Sequence, residues 1–339
     1  MTMRAGFGTG FAGLALAISG CATAPAIQSA QADAKAVIVP GELGPVGEGP
    51  HLADGWQLVW SDEFDAARID RSRWDFDVDC WGGGNNERQC YTDRPQNARI
   101  EDGRLVIEAR RESFTGPALP LAMRAGAADT AATATKPFTS ARLVTRGKAT
   151  WKYGRIEVRA KLPQGQGTWP AIWMLPEDSA YGGWALSGEI DIMEAVNLGV
   201  ACAECPGGRE STILGTLHFG GRWPDNALHS AEIAYSPVLD GFHTFGLVWT
   251  PQRMTWMVDG RVFAVKTAGD WYTDADPSRA APFDKRFHLL LNLAIGGGLP
   301  EGRGLGGVSE DGFPKRMEVD WVRVWQCDAG ASEAGSCAN

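Results

Sequence analysis

The hexapeptide Glu189-Ile190-Asp191-Ile192-Met193-Glu194 sets three carboxylates almost side by side in a β-favouring run. In a regular strand, side chains alternate faces, so Glu189 and Asp191 share one face and Glu194 points to the other. One extra residue removes the conflict. A β-bulge at Met193 or a neighbour slips the alternation, returns Glu194 to the acidic face, and leaves Ile190, Ile192 and Met193 for the buried side. Three acids on one concave face repel each other, which raises at least one pKa and keeps a carboxylic acid protonated near neutrality. One protonated and one ionised carboxyl flanking the scissile bond is what glycoside hydrolysis requires. The competing reading is a solvated acidic edge strand.

The flanking sequence favours the first reading. Trp169 and Trp173 lie four apart in Gly167–Pro176, so in a strand they share a face, and Trp184 sits five residues before Glu189. Tryptophan offers a flat apolar face and one N–H at low entropic cost, which suits a sugar ring. The chain has 14 tryptophans, and most are expected to fill the core; these three, beside the acids, are the candidates for sugar contact.

Short strand-like segments bounded by Gly, Pro, Asp or Asn recur throughout: 104–111, 141–144, 154–161, 189–195, 214–219, 242–250, 253–258, 261–266, 287–294 and 317–325. Asp259-Gly260 between two such runs is a hairpin signal. No long 3.6-residue pattern competes, so the expected fold is all-β, with enough strands for a two-sheet sandwich. The stretch 114–136, rich in Ala, Thr, Gly and Pro, is expected to be a surface insertion, and Gly296-Gly297-Gly298 a tight turn at the cleft rim.

The chain resembles glycoside hydrolase family 16, the laminarinase-like β-glucanases, from about Gly55 to Gln326, roughly four-fifths of its length. Matching segments are Leu58–Phe64, Trp81–Thr92, Phe138–Leu143, Tyr153–Glu157, Ser187-Gly188 leading into the acidic run, Gly215–Gly221, Phe242–Phe245, Asn292–Gly297 and Val319–Val324. Members with a residue corresponding to Met193 tend to be the bulged, laminarinase-type enzymes. The resemblance implies a concanavalin-like β-jelly-roll sandwich. It also implies retaining hydrolysis of β-1,3-glucan, with Glu189 as nucleophile, Glu194 as acid/base and Asp191 orienting Glu189 and tuning the coupled titration. Such a mechanism wants its two carboxyls about 5–5.5 Å apart. Substrate contacts are expected from Trp169, Trp173, Trp184, Asn85 and His218, the last beside Glu194. The alternatives are hydrolysis of a mixed-linked β-1,3-1,4-glucan or a galactan, and a non-catalytic β-glucan-binding surface protein. The three retained acids argue for the enzyme. No cofactor is expected for catalysis; the resemblance implies a structural calcium away from the cleft, held by backbone carbonyls near the first strand and an Asp near the last, the matching positions being Glu63, Gly103 and Asp320.

The remaining expectations concern export. Arg4 precedes an apolar run ending Leu16–Cys21, which reads as a signal peptide over residues 1–21 with a bacterial lipobox and a lipidated Cys21. An ordinary secretory peptide cut within Ala22–Ala26 is the alternative. Residues 22–54 read as a flexible Ala/Pro/Gly-rich tether, 55–327 as the catalytic domain and 328–339 as a tail. Setting Cys21 aside leaves six cysteines, and loop length suggests the pairs Cys80–Cys90, Cys202–Cys205 and Cys327–Cys337 among the 15 connectivities that six cysteines allow. A net charge of −9 disfavours nucleic acid and anionic membranes and suits a neutral polysaccharide. The expected state is a monomer, exported, and tied to a membrane only through Cys21.

Overall fold

The computed structural model describes residues 55–124 and 126–327. The expected signal peptide, Cys21, the tether over 22–54, the tail over 328–339 and Cys337 lie outside the described residues.

Seventeen strands among the described residues form two sheets. The seven-stranded sheet runs in the order Asn226–Ala234, Thr212–Gly220, Glu189–Glu194, Thr168–Pro176, Phe287–Ile295, Arg142–Val144 and Asp75–Asp77, all antiparallel. The ten-stranded sheet is built on Gly154–Lys161 and the 13-residue strand Lys315–Cys327, which pair with each other. Alternation decides which side chains meet between the sheets. Ile172, Met174, Ile190, Leu217 and Phe219 from one sheet, with Leu105, Ile107, Val158, Phe245 and Leu247 from the other, are fully buried in one core. Phe287–Ile295 is buried along its whole length, so this strand is covered on both faces.

The hairpin signal is realised. Asp259 and Gly260, both at positive φ (49° and 73°), join Arg253–Val258 to Arg261–Thr267, the backbone geometry of a tight two-residue turn. Two expectations change. The stretch 114–136 is not wholly an inserted loop: Phe114–Pro117 pairs with Thr133–Lys136 as a two-stranded ribbon, and the short helix Leu121–Arg124 lies within its connection. Asn226–Ala234 escaped the sequence reading because its Asn-Ala-Leu-His-Ser-Ala-Glu-Ile-Ala sequence carries little apolar alternation. It is an edge strand of the seven-stranded sheet, where one ladder suffices.

Candidate active site

The acidic strand is bulged as the sequence requires. Asp191 pairs with Trp173 and Met193 with Ile172, so Ile192 is the extra residue on this side of the ladder. Toward the other neighbour, Asp191 pairs with Thr216 and Glu194 with Leu214, three steps against two. Ile190, Ile192 and Met193 are all buried in the core, and Glu189, Asp191 and Glu194 share the face turned away from it. The core pins the strand from beneath, with the Trp256 indole donating to the Asp191 carbonyl at 2.9 Å. Gly215 makes room for this contact, since a Cβ there would lie 2.5 Å from the Trp256 ring.

Each outer acid has its own indole. Trp169 Nε1–H donates to Glu194 Oε1 at 2.9 Å, and Trp184 Nε1–H donates to Glu189 Oε2 at 2.9 Å. His218 pairs in register with Glu189, not with Glu194 as the sequence reading has it. Its Nε2 lies 3.6 Å from Glu189 Oε1 and 3.3 Å from Asp191 Oδ2, at ion-pair distance but off the hydrogen-bond line. The correction follows from the antiparallel register: the bulge lies beyond Asp191, so the Glu189 end of the strand keeps plain alternation opposite His218.

Burial dominates the titration of this cluster. Desolvation drives the Glu194 carboxyl well above the usual range, and the Asp191 charge adds to it against the opposing pull of His218 and the Trp169 N–H. Asp191 is raised by burial and by Glu189. Glu189 is also raised by burial, with His218 and the Trp184 N–H holding it down. Burial works against a charged His218, but contact with Asp191 and the fields of the three acids outweigh it and push the imidazole up to about 9. The arrangement holds a proton more tightly on Glu194 than on Glu189, whose upward shift is restrained by the neighbouring His218 and the Trp184 N–H.

The other expected contacts divide. Trp184 is 41% exposed and offers its ring to a ligand, tilted against His218 at 5.5 Å. Trp169 is only 9% exposed, packed with Val196 and Ala294, so it presents chiefly its N–H. Trp173 lies between, donating to Asn292 Oδ1 at 2.6 Å. Asn85 is on an exposed loop whose carbonyl accepts from Gly298 N–H at 2.8 Å, and a Cβ on Gly297 would meet that carbonyl at 3.0 Å and the Trp169 ring at 3.3 Å. The glycine turn thus seats the Asn85 loop against Trp169, at the wall of the site.

Several residues here were not singled out by the sequence reading. Arg142 is buried between the Tyr91 and Trp173 rings, 4.4 and 5.2 Å from their centroids. Asn292 donates to Tyr91 Oη at 3.1 Å, and Tyr91 donates in turn to the buried Glu87 at 3.2 Å. The signal available was the density of polar residues in 85–92; their convergence is tertiary.

The carboxylates of the expected calcium site are engaged otherwise. Arg323 grips Glu63 with both ends of its fork at 3.0 and 2.8 Å, and Asp320 pairs with Arg159. The expected site draws on backbone carbonyls near the first strand, which the Glu63 pair leaves free of side-chain competition, and only the Asp320 carboxylate would have to share itself between Arg159 and an ion. Gly103 lies in a turn at positive φ. The disulfides Cys80–Cys90 and Cys202–Cys205 are formed as expected; the third expected pair involves Cys337, outside the described residues.

The model of the glycosyl hydrolases family 16 matches residues 85–282. The glucan endo-1,3-beta-glucosidase of Cryptopygus antarcticus is 42% identical over 276 residues, covering 80% of this chain and 92% of that protein. Glucan endo-1,3-beta-glucosidase A1 of Niallia circulans is 38% identical, but the match spans only 38% of that longer protein and 80% of this chain. Among solved structures, the laminarinase from Rhodothermus marinus superimposes with a TM-score of 0.65 at 39% identity, covering 80% of this chain and 98% of its own. With the family model matching residues 85–282 and a relative 42% identical over most of both proteins, the chain belongs to glycosyl hydrolase family 16, with its β-jelly-roll fold.

Proposed function

We propose that the protein is an exported glycosidase that cleaves β-1,3-glucan of the laminarin type with retention of configuration. The observation that carries the reading is the bulge, which gathers Glu189, Asp191 and Glu194 on one face and leaves Glu194 the most strongly proton-holding of the outer pair. The relatives named as endo-1,3-beta-glucosidases support the linkage.

In the first step Glu194 gives its proton to the glycosidic oxygen while the Glu189 carboxylate attacks the anomeric carbon. The bond to the leaving sugar breaks, and a glycosyl ester on Glu189 takes its place. In the second step the Glu194 carboxylate takes a proton from water, whose oxygen attacks the same carbon and releases Glu189. Trp184 and His218 stabilise the departing Glu189 anion through the contacts they already make with it.

A screen of purified protein on laminarin, lichenan, agarose and carrageenan, with proton NMR of the first product, tests the proposal. Release of the β-anomer from laminarin supports it; the α-anomer, or no cleavage of laminarin, overturns it. Export through a lipid on Cys21 belongs to the same proposal. A fatty-acid probe should label the wild type and not Cys21→Ala, and equal labelling removes the anchor.

A further inference from the structure

A cavity of about 240 Å³ lies at the edge of the seven-stranded sheet, with Glu204, Cys205, Glu210, Glu232, Arg303 and Leu305 in its wall. Strand pairing places it relative to the acids. Glu194 pairs with Leu214, and Leu214 pairs with Glu232 on the edge strand, so Glu232 lies two strand spacings from Glu194, roughly 10 Å, on the same face. Arg303 pairs with Glu232 at 2.7 and 3.2 Å, and its positive charge is felt at Glu194, whose proton affinity it lowers. One lining residue of the cavity, Glu232, therefore ends the cross-strand row that begins at Glu194.

Glu210 gives the cavity an unmet need. This residue is 4% exposed, and its Oε1 accepts from Thr212 N–H at 2.8 Å. Its Oε2 faces Cys205 Sγ at 3.9 Å, but that sulfur is bonded to Cys202 and has no proton to give. A buried carboxylate oxygen without a donor is costly, and a ligand bringing a hydroxyl relieves the cost. A cation fits less well. Among the described residues, the group of acids and histidines with converging ligand atoms is Glu189, Asp191 and His218, not this cavity. The size is below the roughly 300–1,000 Å³ of drug-sized ligand sites and in scale with a single sugar ring.

We propose that this cavity binds one sugar unit of the polysaccharide away from the cleavage point, with Glu210 Oε2 accepting a sugar hydroxyl and Arg303 donating to another. The inference rests on the β-glucan reading above. It assigns chain-length preference to the loop closed by Cys202–Cys205 and to the edge strand, rather than to the residues around the scissile bond.

The test uses calorimetric titration of laminaritriose and laminarihexaose into full-length Glu189→Gln, with and without Glu210→Gln. Glutamine keeps an oxygen for Thr212 but turns an NH₂ toward the ligand hydroxyl. Hexaose affinity should fall about tenfold, the scale of one hydrogen bond to a charged group, while triose affinity changes by less than about twofold. Should Glu210→Gln lose its cooperative melt, Arg303→Met, which removes the other proposed sugar contact, carries the same expectation. Hexaose binding unchanged in both folded variants, or triose and hexaose weakened alike, overturns the cavity. Laminarin left uncut by the wild-type protein instead overturns the β-glucan reading, so the two failures are distinguishable.

Discussion

The indole N–H of Trp169 points at Glu194 Oε1 from 2.9 Å, and it is a donor aimed at the carboxyl that, in the proposed mechanism, must stay protonated to begin the reaction. The contact favours the anion, so it opposes the burial that raises Glu194. Trp184 does the same for Glu189, where favouring the anion would help the proposed nucleophile.

Two conservative variants should therefore move opposite limbs of the pH profile. Trp169→Phe removes a contact that lowers Glu194, so its proton is held to higher pH and the alkaline limb of kcat/KM moves up. Trp184→Phe raises Glu189, so the proposed nucleophile ionises later and the acid limb moves up. Profiles of both variants that superimpose on wild type would show that neither indole tunes its acid.

Replacing the acids should remove activity and leave the fold. Glu189→Gln and Glu194→Gln are each expected to lose at least about 10³-fold in kcat, on the scale of lost nucleophilic or general-acid assistance. Azide or formate added to Glu189→Ala should yield an α-glycosyl product, because a small anion enters where the carboxylate stood. Mass spectrometry and NMR of that mixture decide the assignment.

The cluster should also set how stability depends on pH. Glu189, Asp191, Glu194 and His218 all bind protons more tightly folded than unfolded. Each contributes stability that is fully present below its unfolded pKa and is lost as pH rises through its folded one, so their joint contribution declines between about pH 4 and 9. Glu194→Gln removes part of this loss and should melt a few degrees above wild type at pH 8–9, with the gap closing toward pH 4. Calorimetric melts across that range read the sign directly.

Alanine at the tryptophans should separate a ligand platform from a wall. Trp184→Ala exposes little and should keep a near-native Tm while kcat/KM falls. Trp169→Ala empties a buried site and should destabilise by about 3–5 kcal/mol. Denaturant midpoints beside kinetics resolve the two.

Opening the Cys80–Cys90 bridge should loosen the loop that carries Asn85. The bridge closes a short loop between two buried sulfurs, and Cys90→Ser with Cys80→Ser is expected to cost about 2–3 kcal/mol. Because Glu87 and Asn85 lie in the closed segment, KM should rise more than kcat falls.

The sequence by itself determined the features whose causes are local. Three acids spaced over a β-favouring hexapeptide demand a bulge, because alternation leaves no other way to bring Glu194 to the face of Glu189. The turn at Asp259-Gly260 and the disulfides Cys80–Cys90 and Cys202–Cys205 close over short spans, and so they too were legible. Tertiary structure alone decided which partner each acid meets. His218 lies opposite Glu189 because two strands share a register, and Arg142 sits between Tyr91 and Trp173 because three separate segments converge. The strand Asn226–Ala234 and the bare oxygen of Glu210 belong to the same class. No period or spacing in a single chain encodes such meetings, since they depend on how buried surfaces from distant segments pack, and that is settled only when both sheets close on their common core.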